Sequence, residues 1–244
     1  LYANGDTGYN NTAVGYLSLT ANTTGDANTA LGRETLTTNT TGSDNTAVGF
    51  KALKDNTTGG YNTAIGISAL QTNTTGAFNT ALGRLALLDN TTGDSNTALG
   101  VNALTNNTSA DSNTAVGTNC MNQNTTGTQN TAIGDSSLRG ATTGVGNVSV
   151  GYYALGNATL TGHYNVCVGM HSGKELTTGL YNTCVGHTNG NALTTGGYNT
   201  ILGYTSTGGL TTGSNNTFIG FYAVPSAADV YGEMVLSSGN SSTQ

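Results

Sequence analysis

The sequence predicts an all-β fold, a parallel β-solenoid or β-roll of about thirteen 17-residue coils. Three observations carry this. A string Asn-Thr-Ala-(Val/Leu/Ile)-Gly recurs at a fixed period, glycine is too frequent for helix, and each repeat places two apolar residues side by side. The string begins at Asn11, Asn28, Asn45, Asn62, Asn79, Asn96, Asn113 and Asn130, with looser copies at Asn147, Asn165, Asn182, Asn199 and Asn216. Successive asparagines lie seventeen residues apart, except for a step of eighteen between Asn147 and Asn165. Self-similarity at a fixed period is the signature of a stacked array, in which no repeat buries a core alone.

Each element of the period has a reading. Two glycines per seventeen residues would each cost about 1 kcal/mol in a helix interior. Short runs bounded by Gly and Asn read instead as strands and corners. The asparagines read as a stacked amide ladder that satisfies backbone groups at a corner. Gly15 and its equivalents read as positions of positive φ or of backbone crowding backbone. In the strand, Ala13 and Val14 point to opposite faces, and the pair stays apolar down the array. Apolar residues on both faces imply burial on both faces. One face is the coil interior. The other needs a cover, and a second copy of the chain is the simplest one.

The alanine slot grows toward the C-terminus, through Ala132, Ser149, Cys167, Cys184, Ile201 and Phe218. This is read as a gap between chains that widens toward that end. Early coils carry Leu four residues after the Gly and Asn seven after, as in Leu53 and Asn56. Late coils carry Leu176, Leu193 and Leu210 at the second of these slots, so the array changes section near 147–165. The array spans 1–222. Residues 223–244 follow as a C-terminal strand, read at Val230 to Leu236, and a polar tail. The chain opens inside a repeat, with Leu1 and Asn4 where Leu19 and Asn22 fall one period later, and reads as a piece of a longer polypeptide.

Composition narrows the function. Only 7% of the 244 residues are charged, the net charge is −6 and there is no basic cluster, which argues against nucleic acid. No apolar run is long enough to insert in a bilayer. The three cysteines sit in small-residue slots and read as fillers rather than a disulfide framework. His163, His171 and His187 lack metal-ligand spacing. Asp94 and Asp111 stack one period apart in a variable turn slot with no acid–base partner. The chain therefore reads as no enzyme, with no catalytic residue, metal or cofactor. Sequons such as Asn22-Thr23-Thr24 are explained by the repetition. Threonine rows such as Thr23 and Thr24 raise ice binding as an alternative, although adjacent residues cannot both face outward. The slot before the central Asn holds Tyr61, Phe78, Tyr164, Tyr181 and Tyr198. Exposed aromatics on a rigid scaffold suit contacts with sugars and proteins, so these five are the receptor-binding candidates.

The string Asn45 to Gly49 followed by Ala52-Leu53, with Asn56-Thr57-Thr58-Gly59 between copies, resembles the repeats of bacteriophage tail fibres, notably those of marine phages. It is also similar to the head repeats of trimeric autotransporter adhesins of the YadA type. The likeness covers Leu1 to roughly Gly220. It implies a homotrimeric rod, a structural or adhesive role in a shaft or distal fibre, and a location on a virion tail fibre or a cell surface. The implied partners are the chain itself and a host surface glycan or protein. A purely structural extracellular spacer is a further alternative. The segment from Pro225 to Gln244 looks like the link that precedes a self-cleaving C-terminal chaperone in many phage fibres.

Overall fold

The structure, a computed structural model, describes residues 7–156 and 159–238. The expectations for Leu1 and Asn4, and for the tail beyond Ser238, lie outside the described residues. Among the described residues every strand is parallel and there is no helix. The chain divides into two compact units, Leu1–Thr126 and Gly127–Gln244.

The first unit contains β1 (Thr12–Val14), β2 (Thr29–Leu31), β3 (Thr46–Val48), β4 (Thr63–Ile65), β5 (Thr80–Leu82), β6 (Thr97–Leu99) and β7 (Thr114–Val116). Each pairs with the next in the chain, residue for residue. Thr12 lies opposite Thr29, Ala13 opposite Ala30 and Val14 opposite Leu31, and the same register runs through to β7. The alanines of β2 to β7 are fully buried inside the coil. The next residue along the strand, a valine, leucine or isoleucine, points outward, as a period of two requires.

The corners turn through left-handed backbone at residues other than glycine. In the third coil these are Asp44 (φ 60), Lys51 (φ 61) and Leu53 (φ 48). Every coil of the unit repeats the pattern, which the sequence did not disclose. Each such residue costs about 1 kcal/mol. The conformation at Leu53 and its equivalents turns a leucine, or Met121 in the seventh coil, into the core, where it is fully buried.

Two asparagine ladders offset that strain. In the first, the Asn62 N–H donates to Asn45 Oδ1 (3.0 Å), and the Asn79 N–H donates to Asn62 Oδ1 (2.9 Å). Asn62 Nδ2 donates to the Gly76 carbonyl (2.9 Å). In the second, Asn73 Nδ2 donates to Asn56 Oδ1 (2.8 Å) and also to the Gly76 carbonyl (2.9 Å). Both ladders thus converge on one glycine of the Thr-Thr-Gly corner. That glycine has no room for a side chain, since a Cβ on Gly76 would lie 2.5 Å from Asn73 Oδ1. Gly49 is held for a second reason. Its φ is 129°, and a Cβ there would lie 2.6 Å from the Gly66 carbonyl oxygen.

The second unit contains β8 (Thr131–Ile133), β9 (Val148–Val150), β10 (Val166–Val168), β11 (Thr183–Val185), β12 (Thr200–Tyr204), β13 (Thr217–Phe221) and β14 (Met234–Ser238), again paired in sequence order. An equivalent of the first ladder runs here from Asn130 to Asn216. The Asn165 N–H reaches Asn147 Oδ1 across eighteen residues at 2.9 Å. Asn147 Nδ2 reaches the Gly162 carbonyl fifteen residues on, against fourteen in other coils. The extra residue is therefore absorbed between Asn147 and Gly162, away from the strand.

Two expectations are corrected in this unit. The growing slot does not face a gap between chains. Cys167, Cys184, Ile201 and Phe218 are fully buried inside the coil. Their bulk replaces the leucine lost four residues after the Gly. A Cβ on Gly173 would lie 2.5 Å from Cys167 Sγ, and one on Gly190 would lie 2.7 Å from Cys184 Sγ. Leu176, Leu193 and Leu210 replace the second ladder and are likewise buried. The last strand is also shifted, to Met234–Ser238 instead of Val230 to Leu236. The ladder sets this register. Glu233 takes the asparagine place and donates its N–H to Asn216 Oδ1 (2.8 Å), which puts Met234 opposite Thr217.

Two outcomes are expected. Asn62→Ala leaves the buried N–H of Asn79 without its acceptor, and destabilises the chain by about 2 kcal/mol in chemical denaturation followed by circular dichroism. Gly173→Ala destabilises through contact with Cys167, and adding Cys167→Ala recovers part of the loss. Additive effects of these two substitutions would show that the interior volumes are not exchanged.

Candidate functional site

The repeating asparagines, alanines and corner leucines are consumed by the interior, so the candidate site is the outer face and its borders. In the third coil, Asp44, Thr46, Val48 and Phe50 alternate with Asn45, Ala47 and Gly49. The first set is exposed or half-buried, while Asn45 and Ala47 are fully buried. Stacked in register, the outer set forms four columns. Threonines and branched aliphatics occupy the middle of the face in β1 to β7, and no charged residue stands in either middle column. The outer columns hold the variable residues.

All five aromatic candidates stack with a neighbour in an outer column. Tyr61 and Phe78 lie 5.0 Å apart at 5° between ring planes, in the first unit. Tyr164, Tyr181 and Tyr198 form a second stack in the other unit, at 5.2 and 5.0 Å. All five are exposed. Tyr181 has both ring faces covered by its neighbours, so it offers its edge and hydroxyl to a ligand and no open face. The opposite border of the second unit carries a third stack, His187, Tyr204 and Phe221, at 5.1 Å for each pair. Tyr222 packs edge-on against Phe221 at 4.5 Å. In the first unit the same border holds Arg33, which lies 6.0 Å from the Tyr16 ring centre and 5.4 Å from that of Phe50. Such contacts follow from the register, because equivalent residues sit ~4.8 Å apart along the stack.

Other candidates serve the fold. Asp111 Oδ1 accepts the Asp94 N–H and Asp94 Oδ1 accepts the Ala77 N–H, each at 2.7 Å. The two carboxylates thus cap the backbone of the preceding coil. His163 Nδ1 accepts the Val145 N–H (2.9 Å) in the same slot. Burial lowers the His171 pKa below the usual histidine range, with the charges of Lys174 and His187 adding to it. Among the described residues no group of three or more His, Cys, Asp or Glu could hold a metal ion. Asn22 and Asn39 of the recurring sequons are fully buried, so the folded chain does not offer them to a glycan. All three cysteines are buried. A hydrogen bond with the Cys184 thiol, and then burial, pushes the Cys167 thiol well above its ordinary value.

Thr23 Oγ1 donates to the Thr40 carbonyl (2.9 Å), so one hydroxyl of this pair is spent on the stack. The outward threonine column is a different one, Thr12 to Thr114, which shares its face with the aliphatic column two residues on. The i, i+2 spacing in each Thr-Ala-Val string is the signal that would have found it.

Comparison of the chain with protein-family models, with curated proteins and with solved structures returns no match.

Proposed function

We propose that this chain is the shaft or distal part of a homotrimeric surface fibre, on a virion tail or a cell exterior, acting by non-covalent attachment. One observation supports this most. A column of aliphatic side chains stands outward on a rigid parallel sheet, with Val14 56%, Leu31 48% and Leu82 46% exposed. A continuous apolar column on a regular face marks an association surface. A second copy of the same face matches it in period and in chemistry. Resemblance to phage fibres and trimeric adhesins supplies the number three. Attachment to a host glycan or protein falls to the variable columns, where many weak contacts are multiplied by the number of chains.

The same face favours a second reading. Threonine hydroxyls and aliphatic groups in regular columns suit an ice-binding surface, which would remain open in a monomer. A spacer without attachment is the same assembly with no affinity for cells.

Light scattering of the purified chain is expected to give three times the 24.5 kDa chain mass. Leu31→Glu together with Leu82→Glu is expected to shift it toward the monomer while the circular dichroism stays that of the parent. A monomeric parent overturns the fibre reading, and thermal hysteresis in that monomer would establish the ice-binding one.

A further inference from the structure

The two borders of the outer face in the first unit carry opposite charge. The border before the strands consists of the two residues preceding each central Asn. It holds Asp26, Asp44, Asp94 and Asp111, and no Lys, Arg or His among the described residues. The border after the strands consists of the two residues following each Gly. It holds Arg33, Lys51 and Arg84, and its one acid, Glu34, is paired with Arg33 at 2.9 Å. All four aspartates are exposed, as are both arginines. Between the borders lie only the threonine and aliphatic columns.

The geometry points to a specific contact between copies: the acidic border of one chain lies against the basic border of the next, coil for coil. This rests on the self-association proposed above and names how the copies meet. Rotation about an axis parallel to the stack brings the leading border of one copy to the trailing border of its neighbour, and keeps each coil at its own level. Asp26 then faces Arg33, Asp44 faces Lys51, and Phe78 faces Arg84, while Asp94 and Asp111 face uncharged borders (Val101 and Asn102, Thr118 and Asn119). The first two are opposite charges and the third sets a guanidinium beside an aromatic ring. An antiparallel pair related by an axis along the strands would set acid against acid, which is repulsive. A second copy is the occupant that fits, because charge complementarity and the coil period are both met by the chain itself. In this arrangement Tyr61 and Phe78 belong to the seam between copies instead of a receptor site.

The test uses two full-length chains with different tags, D44C and K51C, made together and treated with a short bismaleimide linker. The native cysteines are buried and stay outside the reaction. Linked D44C–K51C pairs are expected to dominate over D44C–D44C pairs by at least tenfold. Dominant D44C–D44C pairs, equal yields of the two, or no linked product from an intact oligomer would overturn the border contact. Light scattering of the parent separates this from the wider reading: a monomer removes self-association altogether, whereas an oligomer with the wrong linkage removes only this contact. Charge reversal provides a second arm. D44K alone is expected to shift the oligomer toward monomer at low salt, and D44K with K51D in the same chain to restore it. Failure of the double variant to recover, with unchanged circular dichroism, would also overturn the contact.

Discussion

The fold depends on a buried amide that must find its partners one coil away. Each central asparagine from Asn28 to Asn216 lies inside the coil, where water does not reach, and an unpaired amide there costs about 1–3 kcal/mol. Its oxygen takes the N–H of the next central asparagine, and its nitrogen gives to a glycine carbonyl at the corner. Those partners exist only if the next coil repeats the same path. The period of seventeen is thus a hydrogen-bonding constraint as much as a packing one. Where one coil has eighteen residues, the asparagine contact keeps its length and the extra residue goes elsewhere. The ladder also holds left-handed corners at Asp44, Lys51 and Leu53 that isolated residues would avoid.

Interior volume is the second constraint, and it is met by exchange rather than by repetition. In the first unit a coil is filled by a strand alanine, a corner leucine and a second asparagine, such as Ala64, Leu70 and Asn73. In the second unit the strand residue grows to cysteine, isoleucine or phenylalanine while the corner shrinks to Gly173, Gly190 or Thr207. A leucine then takes the second asparagine's place. Close packing allows this because the same space can be reached from the strand or from the corner. The loss of one ladder is tolerated because the amide's polar atoms leave with the asparagine.

Much of this was legible in the sequence. The period, the parallel strands and the corner glycines follow from residue spacing alone. Alternation also showed that Ala and Val face opposite ways. It could not say which face was inside, because both residues are apolar, and the growth from Ala132 to Phe218 was therefore misassigned to a gap between chains. Only the corner glycines Gly173 and Gly190, weighed against the strand residues, indicated that the growth is internal. The left-handed leucines were illegible for a different reason. Leucine has no preference for that backbone, and only the stack imposes it. The aromatic candidates were found by their slot, but stacking covers ring faces that the sequence suggested were open.

The residues that do not repeat are still bound by the stack. Any side chain on an outer column has its equivalents ~4.8 Å above and below, so each column must tolerate its own chemistry at that spacing. Aromatics meet this by stacking, as Tyr164, Tyr181 and Tyr198 do. Aspartates meet it by capping the backbone of the neighbouring coil, so that Asp111 beneath Asp94 accepts an N–H instead of facing a bare carboxylate. The outer surface is consequently a set of periodic lines. A partner with the same period can engage such lines at every level, while an irregular partner can engage only a few. A second copy carries that period by construction, and its opposite border carries the charge that the acidic columns lack. The chemistry of the variable columns and the geometry of the invariant ones therefore favour the same partner.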